Sequence, residues 1–259
     1  MVFPKMQKQA WLFLITLGMS TAIWGQAGRN YHYFTLEGEG KLDFIFNQNS
    51  YGRPELKYRL KSGYGYGIGY GYDIGNRHKV QTAVRYTTGG QYYKDVFAGL
   101  EHIREIELNY LQVPLLYKFI LNRPSKTYRK DFQWILSAGA HFSYLTKANA
   151  TYKIDDKTVS FYTFEAYNNS RYDEILRNPD VTDPTKLYNR FDIALCGGFS
   201  VLYFVLDYVA IELEVNGSYG LMDLNRIEWQ IKNVNGEYSP SQNGQFGTRL
   251  TLLYYVPFW

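Results

Sequence analysis

The chain has one cysteine, four histidines and, beyond residue 30, no apolar run of the about eighteen residues that a membrane-crossing helix needs. The single Cys196 excludes a disulfide framework and a cysteine-based metal site within one chain. Lying in an apolar run, it reads as a small buried side chain. His32, His78 and His102 lie near the ends of alternating segments and lack metal-ligand spacing, so they read as solvated. There is no nucleophile elbow, no phosphate-binding glycine loop and no zinc-helix motif, and no cofactor or catalytic activity is expected. Basic residues outnumber acidic ones by 28 to 24, but the two are interspersed. Without a basic stripe, nucleic acid is not an expected partner.

Aromatic residues, by contrast, make up 18% of the chain, with 26 Tyr and 23 Gly, while mean hydropathy is only −0.35. Tyr in such number suits a protein that meets a bilayer interface, where the ring faces lipid and the hydroxyl faces water. At the start, Lys5 and Lys8 precede an apolar run from Ala10 to Trp24 and then Gly25, Gln26 and Ala27. This is the order of a secretory signal peptide, so residues 1–27 are expected to be removed and residues 28–259 to form one domain. No cysteine near the cleavage region supports lipoprotein processing.

The remainder alternates with the period of a strand. From Leu56 to Ile74, Tyr58, Leu60, Tyr64, Tyr66, Ile68, Tyr70 and Tyr72 share one parity, and Lys57, Arg59, Lys61 and the glycines from Gly63 to Gly71 share the other. Val209, Ile211, Leu213, Val215 and Tyr219 alternate in the same way with Glu212, Glu214, Asn216 and Ser218. Eight such segments are read, at 32–46, 56–74, 79–90, 104–121, 131–147, 190–205, 208–222 and 245–258. Most are longer than the about 5–6 residues of an average soluble strand. Their connections alternate long and short, as an eight-stranded antiparallel transmembrane β-barrel with periplasmic termini requires. A cell outer membrane is the expected location. The last segment carries Leu250, Leu252, Tyr254, Val256 and Phe258 on one face before Trp259, and resembles the signal read by the barrel assembly machinery.

A barrel of eight strands is just wide enough for side chains to fill. The inward set is expected to contain Glu37, Glu39, Lys41, Asp43, Lys57, Arg59, Lys61, Arg85, Lys118, Asp192, Glu212, Glu214 and Arg249. The signs nearly balance, so paired charges and a sealed polar interior are expected, with the glycines from Gly63 to Gly71 leaving local space. His141 and Ser143 resemble the His and Ser spacing of outer-membrane lipid A deacylases, but Tyr144 stands where those enzymes have Asn. With Leu136, Ala138, Phe142 and Tyr144 facing lipid, the pair points into the lumen. Asp155, Asp156, Asp180 and Asp183 match no calcium-loop spacing. The third outside connection, from about Lys147 to Arg190, is the candidate partner-binding loop, through Phe161, Tyr162, Phe164, Tyr167 and Tyr172, with Tyr188 beside them, the alternative being a lid folded over the barrel mouth.

Leu108 to Phe119 reads LNYLQVPLLYKF. Tyr110, Leu111, Gln112, Val113, Pro114, Leu115, Leu116 and Lys118 resemble the hallmark of the PorT-like outer-membrane β-barrel domain family of Bacteroidetes, with Gln112 where an acidic residue is frequent. The resemblance implies an outer-membrane barrel; the family is named for a member associated with type IX secretion, and the resemblance assigns no binding or catalytic residue. Pro114 implies a bulge in its strand. The expected role is structural, adhesive or accessory to secretion or envelope assembly, with the lipid bilayer and an envelope or secretion-system protein as partners. A narrow channel, a lipid-modifying hydrolase and a soluble periplasmic β-protein remain open at this point.

Overall fold

The computed structural model describes residues 31–46, 57–97, 99–122, 132–155, 157–159, 188–226 and 240–256. In chain order the strands are β1 (His32–Phe46), β2 (Tyr58–Arg59), β3 (Lys61–Ile74), β4 (His78–Phe97), β5 (Leu100–Ile120), β6 (Gln133–Ile154), β7 (Lys157–Val159), β8 (Phe191–Leu206), β9 (Val209–Gly220) and β10 (Gln242–Tyr255). Each long strand pairs antiparallel with its sequence neighbour, and β1 pairs with β10 from Tyr33↔Tyr255 to Phe46↔Gln242. The sheet thus closes into an eight-stranded antiparallel barrel, with β2 and β7 as short additions on β4 and β6.

One end carries the β3–β4, β5–β6 and β8–β9 connections. Gly75 sits at φ 68 in the β3–β4 turn, and Asp207 and Tyr208 alone join β8 to β9. At the β5–β6 turn the Asn122 side chain donates to Phe132 O (2.6 Å) and accepts from Trp134 N (2.9 Å). The other end carries the two longest connections, β7–β8 and β9–β10, together with the two-residue β4–β5 link. Along each strand one parity is exposed and apolar, such as Phe34 and Leu36 on β1, Leu115 and Tyr117 on β5, and Leu250, Leu252 and Tyr254 on β10. The opposite parity is buried and mostly polar, the arrangement of a barrel with lipid outside and side chains within.

Four expectations need correction. Lys57 and Arg59 are exposed rather than lumenal. Arg59 pairs with Tyr92 whereas Gly65 pairs with Thr87, so one extra residue lies between β2 and β3 and inverts the facing of everything before it. Second, no outside loop opens after residue 90, because β4 and β5 run on to the pair Phe97↔Leu100 and β6 continues to Ile154. The glycines that look like breakers there do another job: a Cβ on Gly90 would lie 2.0 Å from Ile106 O.

Third, Pro114 makes no bulge. The β4–β5 ladder skips from Thr82↔Leu115 to Arg85↔Gln112 without a register shift, and Thr82 Oγ1 donates to Pro114 O at 2.8 Å. The missing N–H simply interrupts the ladder. The register shift of β5 lies further along, between Asn109 and Tyr110.

Fourth, the interior is not polar throughout, because each end gathers an apolar cluster. Tyr33, Ile120, Ile135, Leu202, Phe204, Ala210, Leu253 and Tyr255 form an apolar plug at the short-turn end. Ile45, Tyr93, Ile106, Leu108, Tyr110, Leu145, Ala148, Tyr188 and Leu224 form a second at the long-connection end.

The glycines of β3 make room for inward side chains of β1 and β4. A Cβ on Gly71 would lie 2.1 Å from the Tyr33 ring, one on Gly69 2.4 Å from Thr35 Oγ1, and one on Gly67 2.7 Å from Arg85 Cγ. Gly71→Ala is therefore expected to destabilise the folded barrel by about 1–3 kcal/mol through overpacking. Gly38→Ala, which meets nothing within 4 Å, should be near neutral. Urea unfolding of both variants in lipid vesicles checks the contrast.

Candidate functional site

The lumen gathers more charge than any other part of the described barrel, and β1 supplies its axis. Alternation places Thr35, Glu37, Glu39, Lys41 and Asp43 along one inward row. Glu37 accepts from Arg85 Nε on β4, from Gln81 Nε2 (2.7 Å) and from Thr35 Oγ1 (3.2 Å). Arg249 on β10 reaches to both sides, donating to Glu39 Oε1 on β1 and to Glu214 Oε2 on β9, each at 3.2 Å. Ser137 Oγ donates to Glu214 Oε1 (2.6 Å), and Asn216 Nδ2 donates to Glu39 Oε1 (2.9 Å).

Nearer the short-turn plug, Lys118 Nζ meets both oxygens of Glu212, at 2.8 and 2.9 Å, and Ser200 Oγ donates to Oε1 of the same carboxylate (2.7 Å). Lys79 lies within the plug. It donates to Tyr255 OH (2.7 Å), stands 3.4 Å from Asp73 Oδ1, and sits 5.5 and 5.3 Å from the ring centroids of Tyr33 and Tyr255. Lys79 and Arg104 belong to the buried set, although the sequence reading did not include them. Both lie at the margins of a lipid-spanning stretch, where alternation alone does not mark which charges turn inward.

Above this layer is a cavity of about 20 Å³, lined among others by Lys41, Asp43, His141, Ser143, Asp192 and Gln245. Lys41 Nζ is 3.1 Å from Asp43 Oδ1 and donates to Gln245 Oε1 at 2.7 Å. Gln245 Nε2 donates to Ser218 Oγ (2.5 Å) and lies 3.3 Å from His141 Nε2. His141 and Ser143 are buried in the lumen while Leu136 and Phe142 on the same strand are exposed. The pair is thus turned away from the lipid that a deacylase must attack. Among the described residues, no three His, Cys, Asp or Glu side chains gather so as to hold a metal ion.

The roots of the two longest connections are tied together over the upper plug. Tyr188 is fully buried and bridges to Asn225. Asn189 Nδ2 donates to Asp223 O (2.9 Å), Asp223 Oδ1 accepts from Asn225 N and Ser241 N (3.1 Å each), and Arg226 Nε donates to Tyr188 O (3.2 Å). Tyr188 therefore seals the barrel mouth rather than offering aromatic surface. The candidate loop residues Phe161, Tyr162, Phe164, Tyr167 and Tyr172 lie outside the described residues, as do Asp156, Asp180 and Asp183. Asp155 is an exposed turn residue whose N–H donates to Glu101 O (2.9 Å).

The histidines at the short-turn rim are partnered. His32 hydrogen-bonds Tyr70 OH and packs 4.7 Å from Tyr72, and His78 hydrogen-bonds Tyr117 OH and packs 5.3 Å from Phe119. Aromatic contacts of this kind at the strand ends suit a membrane–water boundary.

Residues 91–226, just over half of the chain, match the model of a family described as outer membrane protein beta-barrel domain. The chain belongs to that family. Its barrel resides in the outer membrane, with the exposed apolar belt in lipid, and short turns in such barrels face the periplasm. Solved structures with related folds include OprG of Pseudomonas aeruginosa, with TM-score 0.46 and 9% identity, covering 90% of this chain and 99% of that one. Neisserial surface protein A has TM-score 0.40 and 13% identity, covering 85% and 95%. Ail of Yersinia pestis has TM-score 0.38 and 10% identity, covering 87% and 99%. No curated protein matches the sequence.

The lumenal pairs should behave as buried ion pairs do. Lys118→Met is expected to destabilise the family member by about 3–5 kcal/mol because Glu212 is left without its cation, and combining it with Glu212→Leu should recover most of that loss. A double-mutant cycle on vesicle-folded protein measures the coupling.

Proposed function

We propose that this outer-membrane barrel neither catalyses nor conducts, and serves as a PorT-like accessory that engages an envelope or secretion-system protein from its outer face. The observation that carries the reading is the sealed lumen: a layer of paired charges closed at each end by an apolar plug. A barrel so filled has its outer rim left for work, and there β4, β5 and β6 rise beyond the strands of the other side. The third outside connection, with Phe161, Tyr162, Phe164, Tyr167 and Tyr172, is the partner surface in this reading, aromatic side chains being effective anchors at interfaces. Residues 1–27 act as a signal peptide and residues 28–259 as the barrel domain. The barrel assembly machinery inserts it.

A second reading, a narrow channel, draws on the polar middle of the lumen and its cavity. It requires both plugs to open.

Two measurements test the proposal. The purified barrel in planar bilayers should show no discrete conductance, and steady single-channel steps would favour the second reading. In the native envelope, replacing the five loop aromatics by Ala should abolish cross-linking to the barrel's protein partner while the boiled-versus-unboiled gel shift stays unchanged. Cross-linking that survives the replacement would remove the loop from the proposal.

A further inference from the structure

On β6, Leu136, Phe142 and Tyr144 turn toward lipid while His141, Ser143 and Leu145 are buried on the lumenal side. Continued at period two, that order would turn Lys147 inward, toward the outer plug. It does not, because the β5–β6 ladder passes from Tyr110↔Leu145 to Asn109↔Lys147 and leaves Thr146 as an extra residue. Thr146 Oγ1 holds the bulge by donating to Asn109 O (2.9 Å). A bulge re-aims the side chains that follow it. This one brings Lys147 to the outside of the wall, where it is exposed.

Arg190, also exposed, stands on the adjoining strand root. Phe191, the first residue of β8, pairs with Tyr144, and Leu145 N donates to Arg190 O (2.7 Å). Arg190 Nη1 donates to Tyr144 OH (3.1 Å), and the Tyr144 and Phe191 rings pack with centroids 5.2 Å apart. From strand spacings of about 4.8 Å and a rise of about 3.4 Å per residue, the backbones of Lys147 and Arg190 lie about 8 Å apart, so both long side chains can reach one small group. The Tyr144 hydroxyl accepts from Arg190 and so keeps its own proton to donate. Other cations of this end are answered: Lys61 meets Glu105 at 3.0 Å and Lys94 meets Glu101 at 2.7 Å. Among the described residues Lys147 and Arg190 form no ion pair. Glu107, the outward carboxylate closest to them by register, stands opposite Gly90 and Asn149, and Asp223 turns its Oδ1 to Asn225 N and Ser241 N.

The level of these groups on the wall decides what they meet. Directly below them the surface is hydrocarbon-facing, with Phe142 51%, Phe191 65% and Leu195 56% exposed. Directly above, the outward row of β6 passes to Asn149, Thr151 and Lys153. In an outer-membrane barrel that boundary, at the end away from the short turns, lies among the headgroups of the outer leaflet. A guanidinium, an ammonium and a hydroxyl donor gathered there suit an anion with several acceptor oxygens, and the planar fork of Arg suits phosphate in particular. We propose that Lys147, Arg190 and the Tyr144 hydroxyl form a binding site for the phosphate of an outer-leaflet lipid of the lipid A type, whose acyl chains lie along Phe142, Phe191 and Leu195. The site stands whether or not the third outside connection engages a protein.

The experiment is native mass spectrometry of the full barrel in detergent, titrated with phosphorylated lipid A, with the same lipid A dephosphorylated, and with inorganic phosphate as competitor. One phosphorylated lipid A is expected to be retained per barrel, and the dephosphorylated form about tenfold more weakly, since hydrogen bonds to a charged group are the ones lost. Arg190→Ala combined with Lys147→Ala should weaken retention of the phosphorylated form by a similar factor. Tyr144→Phe should weaken it less, and serves as the second variant if the double one folds poorly by the boiled-versus-unboiled gel shift. Lys153→Ala, an exposed lysine higher on the same strand, should leave it unchanged. Equal retention of the dephosphorylated lipid would mean that the apolar belt alone holds it and would overturn the proposal. Displacement by millimolar inorganic phosphate would make the site one for a free anion, and an equal loss in Lys153→Ala would reduce it to diffuse surface charge; either result overturns it as well.

Discussion

Everything in this barrel follows from one constraint: in hydrocarbon each backbone N–H and C=O must find its partner within the protein. A sheet meets that demand only when its first and last strands pair, and here the β1–β10 ladder runs unbroken from Tyr33↔Tyr255 to Phe46↔Gln242. Closure then divides the side chains into two populations by parity alone. One meets lipid and must be apolar. The other shares a narrow interior, where charges persist only because they are paired.

The interior shows how such pairing is distributed around the wall. Arg249 serves carboxylates on strands to either side of its own, Lys118 reaches across the barrel to Glu212, and Glu37 is held by donors from its own strand and from β4. Burying these charges opposes folding before their attraction offsets it, so the network is better understood as fixing register and excluding alternatives than as a source of stability. The apolar plugs, dominated by Tyr33, Leu202 and Tyr255 at one end and by Tyr110, Leu145 and Tyr188 at the other, supply hydrophobic burial that the middle lacks.

Much of this architecture was legible in the alternation of residues. The lipid-facing parity of β3 and β9, the inward row of β1 and the lumenal facing of His141 and Ser143 all follow from period two. What escaped has physical causes. A single extra residue ahead of Lys61 turns Lys57 and Arg59 outward, and nothing in their own chemistry announces it. Strands that rise above the bilayer lose the apolar–polar contrast, so the extensions of β4, β5 and β6 resemble loops. The plugs escaped because inward apolar residues such as Ile135 and Leu253 sit beside outward apolar ones and blur the pattern. Pro114 is the reverse case, a conspicuous residue whose neighbours absorb it without distortion. For the candidate site, the inward Asp43 and Asp192 could be read from parity, whereas their meeting at one cavity depends on shear around the barrel.

The placement of Arg249 on the final strand bears on the order of events during insertion. Until β10 docks, Glu39 and Glu214 stand on separate strands without the guanidinium that serves them both. An incomplete sheet would carry those two bare carboxylates along with its unpaired edges. Closing the β1–β10 seam therefore gives Glu39 its cation in the same step that satisfies the edge hydrogen bonds of those two strands.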